Sequence, residues 1–256
     1  MVGKYKTILV TTEDKITKIM LNRPDKKNAI NLVMYEEIMH ALDEAAKDDS
    51  TLTVITGCGS YFSSGNDLKD FSENVDEIMK DDGKLLVQFI HHFVDFPKPL
   101  VALVNGPAIG LAATLLGLCD IVYAMERATI HAPFVQLGLS PEGCSSYTFP
   151  KIMGPAQANE MLLFNKKIMA DEACTKGLVT EVFADSTFQG EVWTRLKAYA
   201  NLPKNSLATS KQLMRSMDKE ILHAVSLQES KLIAKKIFSD ECNNGLQSFF
   251  QKGSKL

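Results

Sequence analysis

A single carboxylate, Glu142, is the first candidate for acid–base chemistry in this sequence. It lies in GLSPEGCSS (138–146), where its neighbours are mostly small or apolar. Two interpretations compete. Ser140 can cap a helix, Pro141 suits the first helical position, and an acid in the first turn favours the helix dipole. Alternatively Glu142 is a catalytic base, because an apolar pocket raises the pKa of a carboxyl group toward the range useful for proton transfer.

Two glycine-containing turns, each after an apolar run that predicts a buried strand, could complete such a site. One is FSSGNDL (62–68), and the other is NGPAIGL (105–111), which leads into a predicted helix. Glycine lets a ligand approach the backbone closely, and a helix N-terminus offers free N–H groups to an anion. One N–H from each turn could therefore form an oxyanion hole. Taken singly, each turn is weak evidence, because a glycine turn after a strand is usually an ordinary connection.

The composition excludes several classes of protein. The chain has 256 residues, 45% hydrophobic and 23% charged, which is enough apolar material for a large core. Its net charge of −3 argues against nucleic-acid binding, which usually requires a basic stripe. The five cysteines are scattered and form no CxxC, which predicts reduced thiols in an intracellular protein. The histidines show no metal-ligand spacing, so we expect no metal site.

Targeting signals are predicted at one end of the sequence. The first ten residues lack the apolar stretch of a signal peptide. The apolar run 100–125 is interrupted by 105–107 and by Asp120, which favours a buried strand, turn and helix over a membrane span. The sequence ends in a tripeptide that matches a peroxisomal address read by an import receptor: Ser254, Lys255 and Leu256. We therefore expect the peroxisomal matrix, with a mitochondrial form depending on a further N-terminal segment.

The elements that must position these residues follow from hydrophobic periodicity. Strands are predicted at 7–10, 16–21, 52–56, 100–104, 121–124, 129–132 and 178–183. Helices are predicted from Asn31, across most of 71–96, at 111–118, after Ser140, at 156–163, at 170–176 and from 188 onward. Strands alternate with helices early and helices dominate late, which predicts an α/β body with a helical C-terminal part.

Six segments together resemble the crotonase (enoyl-CoA hydratase/isomerase) superfamily over nearly the full length. They are LNRPDKKNAIN (21–31), FSSGNDL (62–68), KPLVALVNGPAIGLA (98–112), CDIVYA (119–124), HAPFVQLGLSPEGCSS (131–146) and ADEACTKGLVTEV (170–182). NGPAIGLAA and LSPEGCSS are most similar to the peroxisomal Δ3,Δ2-enoyl-CoA isomerases of that superfamily.

The resemblance implies a fold, a substrate and an assembly. The fold is a spiral of ββα turns over 1–195, followed by a helical region, 196–256, that helps to form a homotrimer or a dimer of trimers, all in one structural unit. The substrate is an acyl-CoA thioester, with no separate cofactor. The thioester carbonyl points at the backbone N–H groups of Asn66 and Leu111, which follow the glycines of the two turns.

The resemblance also distinguishes two reactions. The hydratase relatives use two acids, and the matching positions here are Thr114 and Phe134. Because neither is acidic, hydration is disfavoured. The isomerase relatives carry one glutamate, at the position of Glu142. Isomerisation of a 3-enoyl thioester by this single base is therefore the expected reaction. Thioester hydrolysis, weak hydration and non-catalytic acyl-CoA binding remain alternatives.

Substrate contacts are also implied by the resemblance. Lys26 and Lys27 could face the CoA phosphates, although a lysine pair in a loop is commonly a solvated surface. Phe249 and Lys252 could reach a bound nucleotide, whereas Asp120 is interpreted as structural. The expected substrate-binding residues are Lys27, Ala29, Ser64, Gly65, Asn66, Asp67, Leu68, Gly110 and Phe134. Phe134, with Leu115, Leu137 and Leu139, could supply the apolar pocket around Glu142.

Overall fold

A computed structural model describes residues 4–78 and 80–253 of the chain. Its strands are β1 (Ile8–Glu13), β2 (Ile16–Leu21), β3 (Leu52–Gly57), β4 (Leu100–Val104), β5 (Ala108–Ile109), β6 (Ile121–Met125), β7 (Thr129–His131), β8 (Ile168–Met169) and β9 (Glu181–Phe183). Its helices are α1 (Leu32–Lys47), α2 (Leu68–Glu73), α3 (Val75–Ile78), α4 (Lys80–Asp95), α5 (Leu111–Thr114), α6 (Ser145–Met153), α7 (Pro155–Leu162), α8 (Ala170–Thr175), α9 (Phe188–Ala200), α10 (Lys204–Ser216), α11 (Lys219–Lys236) and α12 (Asp240–Gly253).

The main sheet has the strand order β1-β2-β3-β4-β6-β9. β1 and β2 form an antiparallel hairpin, and the other neighbouring pairs are parallel. Every residue of β3 and β4 is buried, as expected for parallel strands that are covered on both faces. The carboxyl ends of these two strands lead into the two glycine turns, so the sheet brings the turns to one edge.

A smaller sheet, β5-β7-β8, lies beyond that edge. Its first strand, β5, consists of Ala108 and Ile109 and lies inside the segment predicted as a turn. β5 pairs in parallel with β7, and the backbone N–H of Gly110 donates to the carbonyl of His131 at 2.8 Å. This pairing fixes the second glycine turn against the start of α5.

Helix α1 forms as its sequence predicts. The Asn31 side chain accepts a hydrogen bond from the Met34 backbone N–H at 3.1 Å, which satisfies one free donor of the first turn. Met34, Ile38 and Leu42 form its buried face against the sheet. This face also carries Tyr35, which reaches the active site described below.

The C-terminal helices pack across the body through buried polar contacts. Asp120 accepts a hydrogen bond from the Leu100 backbone N–H at 2.7 Å, and its carboxylate lies 2.7 Å from the Lys211 amine on α10. The structural interpretation of Asp120 is therefore confirmed. α11 lies along α4, where the rings of His91 and His223 stack with centroids 4.2 Å apart.

The predicted mixed α/β body and helical C-terminal part are confirmed. The helix predicted across most of 71–96 corresponds to α2, α3 and α4, and two further elements differ in extent. The strand predicted at 178–183 forms only as β9, and the helix predicted at 111–118 is the short α5 followed by a 3-10 turn at 115–118. The boundary proposed between 195 and 196 falls within α9, and that division stays a prediction, as does the role of the C-terminal helices in assembly.

Within 4–78 and 80–253, no helix is both long and apolar enough to cross a membrane. The five cysteines are free thiols, with Cys144 and Cys242 fully buried. The tripeptide 254–256 and the side chain of Lys252 lie outside the described residues.

Candidate active site

The two glycine turns lie side by side through backbone hydrogen bonds. The Ile109 N–H donates to the Ser63 carbonyl at 3.0 Å, and the Phe62 N–H donates to the Pro107 carbonyl at 3.1 Å. Gly65 adopts φ +82°, and a Cβ there would be 2.5 Å from the Ile109 carbonyl oxygen. No larger residue fits this contact, so the glycine is required for the turns to approach each other.

The predicted oxyanion donors lie on these adjacent turns. Leu111 is the first residue of α5, where the backbone N–H has no partner within the helix. Asn66 directly follows Gly65. Among the described residues, neither of these two N–H groups donates a hydrogen bond to another protein atom. Both donors therefore lack a protein acceptor, as the predicted oxyanion hole requires.

Glu142 lies in a loop, and the prediction that Ser140 caps a helix around it is wrong. The helix α6 begins only at Ser145, and the buried Ser140 hydroxyl has no hydrogen-bond partner among the described residues. The cause is backbone conformation: Gly143 has φ +70° and Cys144 has φ +60°. Two consecutive left-handed residues cannot belong to a right-handed helix. Glu142 therefore has no helix-start role.

The Glu142 carboxylate reaches the first glycine turn through a side-chain contact. The Asn66 amide donates to Glu142 Oε1 at 3.1 Å, and the Tyr35 hydroxyl donates to Asn66 Oδ1 at 2.6 Å. Tyr35 from α1 thus orients the amide that orients the carboxylate. Neither side-chain role is predicted from the sequence, because Tyr35 occupies a position typical of a core aromatic residue and Asn66 is expected to act through its backbone.

Burial dominates the electrostatics of the site. Glu142 is 5% exposed. Its burial, with a smaller contribution from the negative charge of Glu229, raises the pKa of Glu142 to about 8, while the hydrogen bond from Asn66 opposes this rise. A carboxyl group with such a pKa can both accept and return a proton near neutral pH. Burial and the charge of Glu142 also raise the pKa of Tyr35, which stays a hydrogen-bond donor.

A second buried carboxylate, Glu229 on α11, holds the segment that follows Glu142. It accepts hydrogen bonds from the backbone N–H groups of Cys144 and Ser146 at 2.7 and 2.9 Å. The Ser146 hydroxyl donates to it at 2.5 Å. Burial raises the pKa of Glu229 to about 6 in spite of these bonds. No local motif predicts the role of Glu229, because its partners lie more than eighty positions away in the sequence.

The two positions at which hydratase relatives would carry acids are apolar or short here. Thr114 is fully buried, and its hydroxyl donates to the Leu111 carbonyl at 3.0 Å. A Cβ at Gly143 would lie 2.4 Å from the Thr114 hydroxyl oxygen, so the Glu142 loop packs directly on α5. Phe134 is 4% exposed. Of these three positions, only Glu142 therefore carries an acid.

Other predicted binding residues lie around the first turn. The Ser64 N–H donates to the Lys27 carbonyl at 2.9 Å, which joins the two segments. The exposed Lys27 amine lies 5.4 Å from the Tyr61 ring centroid. Leu68 is the first residue of α2, and Asp67 caps this helix. The Asp67 carboxylate also pairs with the Arg23 guanidinium at 2.9 Å. Arg23 also donates to the carbonyl of the buried Ala29.

The predicted pocket residues and Phe249 differ in how far they are buried. Leu115 and Phe134 are buried, whereas Leu137 and Leu139 are half-buried. Phe249 on α12 is half exposed. Over the part of the chain that the structure describes, no three His, Cys, Asp or Glu side chains converge in a way that could hold a metal ion.

Comparison with known proteins identifies the family that has this fold. The profile described as enoyl-CoA hydratase/isomerase matches residues 11–255. The chain belongs to this family, so the predicted family is confirmed. A crystal structure of an enoyl-CoA hydratase/isomerase from Pseudoalteromonas atlantica T6c superposes with a TM-score of 0.89 at 34% identity, covering 96% of this chain and 98% of that one.

Two curated relatives are more similar in sequence. Enoyl-CoA delta isomerase 2 of Homo sapiens is 59% identical over 256 residues, covering 98% of this chain and 65% of that protein. Enoyl-CoA delta isomerase 3, peroxisomal, of Mus musculus is 52% identical over 253 residues, covering 98% of this chain and 80% of that protein. This chain thus spans slightly less than two thirds of the length of the human relative.

Proposed function

We propose that the protein is a Δ3,Δ2-enoyl-CoA isomerase that converts cis- or trans-3-enoyl-CoA to trans-2-enoyl-CoA. The observation that carries the proposal is the position of Glu142, a buried carboxylate held by the Asn66 amide beside the free N–H groups of Asn66 and Leu111. The names of the human and mouse relatives support this reaction. Such an enzyme serves the degradation of unsaturated fatty acids.

The chemistry requires one base and an anion site. The C2 protons of a 3-enoyl thioester are acidified by both the carbonyl and the double bond, and the Glu142 carboxylate removes one of them. Negative charge moves onto the thioester oxygen, where the Asn66 and Leu111 N–H groups stabilise it; one such donor contributes about 2.7–4 kcal/mol. The protonated Glu142 then returns the proton to C4. The CoA group belongs to the substrate, and no separate cofactor takes part.

Thioester hydrolysis by the same site is the alternative reaction. A single glutamate near an oxyanion hole can position water as well as accept a proton. Hydration needs a second acid, and both hydration and hydrolysis need space for a water molecule beside Glu142. The burial of Glu142 and the packing of Thr114 on Gly143 therefore favour isomerisation. A non-catalytic acyl-CoA-binding role would not require a buried carboxylate such as Glu142, held by the Asn66 amide.

The test is an isomerase assay with trans-3-hexenoyl-CoA that measures the formation of the 2-enoyl thioester. Replacing Glu142 with Gln is expected to lower kcat by about 10²–10⁴-fold, the usual contribution of a positioned acid–base group. Hydration of 2-enoyl-CoA and release of free CoA are measured in parallel as controls. Equal isomerisation by wild type and Glu142→Gln would refute the proposal, and rapid CoA release would favour hydrolysis.

Location and assembly are proposed with the activity. The peroxisomal name of the mouse relative and the terminal Ser254-Lys255-Leu256 support import into the peroxisomal matrix by the receptor for this address. Deletion of the tripeptide is expected to leave a fluorescent fusion outside peroxisomes, and unchanged import would contradict the assignment. Membership of the family supports a homotrimer or a dimer of trimers, with three exposed apolar residues at the end of α10 and just after it at a subunit contact: Leu213, Met214 and Met217.

A further inference from the structure

We propose that Glu229 is a positioning residue for the proposed isomerase: it fixes the backbone that carries Glu142, and its negative charge favours the protonated form of Glu142 during turnover. This inference rests on the proposed function. Glu229 lies on α11 and, among the described residues, makes no hydrogen bond to the two glycine turns. In the proposed mechanism it does not touch the reacting atoms.

The first argument is geometric. The two carboxylate oxygens of Glu229 accept hydrogen bonds from different residues of the loop. Oε2 accepts from the Cys144 N–H, and Oε1 accepts from both the N–H and the hydroxyl of Ser146. These donors lie two and four residues after Glu142, on either side of the point at which α6 begins. Left-handed residues at 143 and 144 leave N–H groups without helical partners, and Glu229 supplies the acceptor. Without it, the buried Cys144 N–H next to the Glu142 loop would be unsatisfied.

The second argument concerns why the acceptor is charged. A buried carboxylate is costly unless it is hydrogen-bonded, and a neutral amide or hydroxyl could accept one of these bonds at a lower desolvation cost. Glu229 is 4% exposed, and no ion pair to it occurs among the residues that the structure describes. Its three donors stabilise the ionised form. The result is an unneutralised negative charge close to Glu142, which disfavours a second negative charge there.

The surroundings of both carboxylates contain few other charges. Among the described residues, the negative charge that acts on Glu142 is that of Glu229, and the neighbouring Tyr35 phenol stays neutral. Glu229 also acts on the Cys144 thiol, whose pKa is raised to about 12, so that the thiol stays neutral. Arg215 on α10 acts on Cys144 without pairing with Glu229. Glu229 is therefore the charge whose removal would change the protonation of Glu142.

The experiment measures kcat, KM and the pH profile of kcat/KM for Glu229→Gln and Glu229→Asp. Because kcat/KM reports groups of the free enzyme, its acidic limb follows the ionisation of Glu142. In Glu229→Gln the negative charge is gone, the pKa of Glu142 falls, and the limb is expected to move to lower pH by about one pH unit. Its kcat on the alkaline plateau should fall about tenfold to a hundredfold with KM nearly unchanged, since the loop loses its anchor. Glu229→Asp retains the charge and should keep the wild-type limb.

Asp120→Asn is the matched control. It removes another partly buried, hydrogen-bonded carboxylate, on the side that faces α10. It is expected to lower Tm while leaving the position of the acidic limb unchanged. If Glu229→Gln behaves like Asp120→Asn, with a lower Tm and an unmoved limb, Glu229 is merely structural and the inference is wrong.

Two further measurements keep the inference testable if Glu229→Gln fails to fold or if the protein does not isomerise. Ser146→Ala removes one of the three donors from an exposed residue, and should lower kcat severalfold at constant Tm; an unchanged kcat would contradict the positioning role. Infrared difference spectra of wild type minus Glu142→Gln follow the protonated carboxyl of Glu142 without turnover. An absence of isomerisation refutes the proposed function, whereas an infrared titration of Glu142 that does not shift in Glu229→Gln refutes the inference.

Discussion

Glu142 shows how the surroundings of one carboxylate decide between a structural and a chemical role. Its sequence context, Ser140-Pro141-Glu142, is typical of a helix start, yet the backbone turns left-handed at Gly143 and Cys144 and the helix begins later. The side chain is consequently turned toward Asn66 and away from water. A surface acid that caps a helix would have a lowered pKa, whereas this buried acid has a raised one.

This environment has a stability cost that depends on pH. The folded-state pKa of Glu142, about 8, lies above the ordinary value of 4.5 that applies to the unfolded chain. Between these values the folded protein binds more protons at this site than the unfolded chain does, so the contribution of Glu142 to stability is full below about pH 4.5 and is lost as pH rises through 8.

We therefore predict that Glu142→Gln is more stable than wild type at pH 8.5, by about 1–3 kcal/mol, because it removes a buried charge that one hydrogen bond compensates incompletely. The difference should shrink at pH 5, where Glu142 is protonated in the folded protein. Urea denaturation at the two pH values measures both free energies of unfolding. Equal stabilities at pH 8.5 would contradict the assignment of a buried, easily protonated carboxyl group.

At the scale of elements, the structure places the catalytic loop between α5 and the C-terminal helices. Gly143 lies against Thr114 of α5, and α12 packs on the segment just before the loop. A Cβ at Gly245 of α12 would lie 2.8 Å from the Leu137 carbonyl carbon, and one at Gly138 would lie 2.7 Å from the Cys242 backbone nitrogen. These two close backbone contacts thus hold α12 against the chain segment that precedes Glu142.

We predict that Gly245→Ala forces α12 away from this segment and lowers the free energy of unfolding by about 1–3 kcal/mol, the usual cost of overpacking. Gly190→Ala is the matched control, because Gly190 lies within α9 and a Cβ there would meet no atom within 4 Å. It should stabilise the protein by up to about 1 kcal/mol through helix propensity. Thermal unfolding of the two variants distinguishes them, and equal changes in Tm would contradict the packing of α12.

Elements with local signals could be predicted from the sequence, and features that depend on distant contacts could not. The start of α1 follows from Asn31 and a periodic apolar face, since both signals are local. The two glycine turns follow from the buried runs before them, because parallel strands end at a common edge. The loop around Glu142 was predicted as a helix because the left-handed conformation of Cys144, a non-glycine residue, has no local signature. Tyr35 and Glu229 were missed because their partners are distant in sequence.

At the scale of the whole molecule, the C-terminal helices leave apolar side chains in solvent. Leu213, Met214 and Met217 are 73%, 72% and 80% exposed, and they lie at the C-terminal end of α10 or just beyond it. We predict that these residues bury themselves in the proposed homotrimer, whose mass would be about three times the 28.3 kDa of one chain, or twice that in a dimer of trimers.

Sedimentation velocity measures this assembly. Combined Leu213→Lys and Met217→Lys substitutions are expected to shift the protein toward the monomer, because two charges would be buried without partners. Leu9→Lys, on the exposed side of the β1 edge strand at 43% exposure, is the control and should leave the assembly intact. A wild-type protein that sediments as a monomer at micromolar concentration would contradict the proposed trimer.

The central claim, that one carboxylate carries the proton between two carbons, is tested most directly by isotope transfer. The substrate is a 3-enoyl-CoA deuterated at C2, turned over once in ordinary water, and the product is analysed for deuterium at C4. Because Glu142 is buried and holds the abstracted deuteron away from water, the account predicts that a substantial part of the label appears at C4 in wild type and that Glu142→Gln forms almost no product. A rapidly formed product whose C4 hydrogen comes entirely from solvent, or label transfer undiminished in Glu142→Gln, would contradict it.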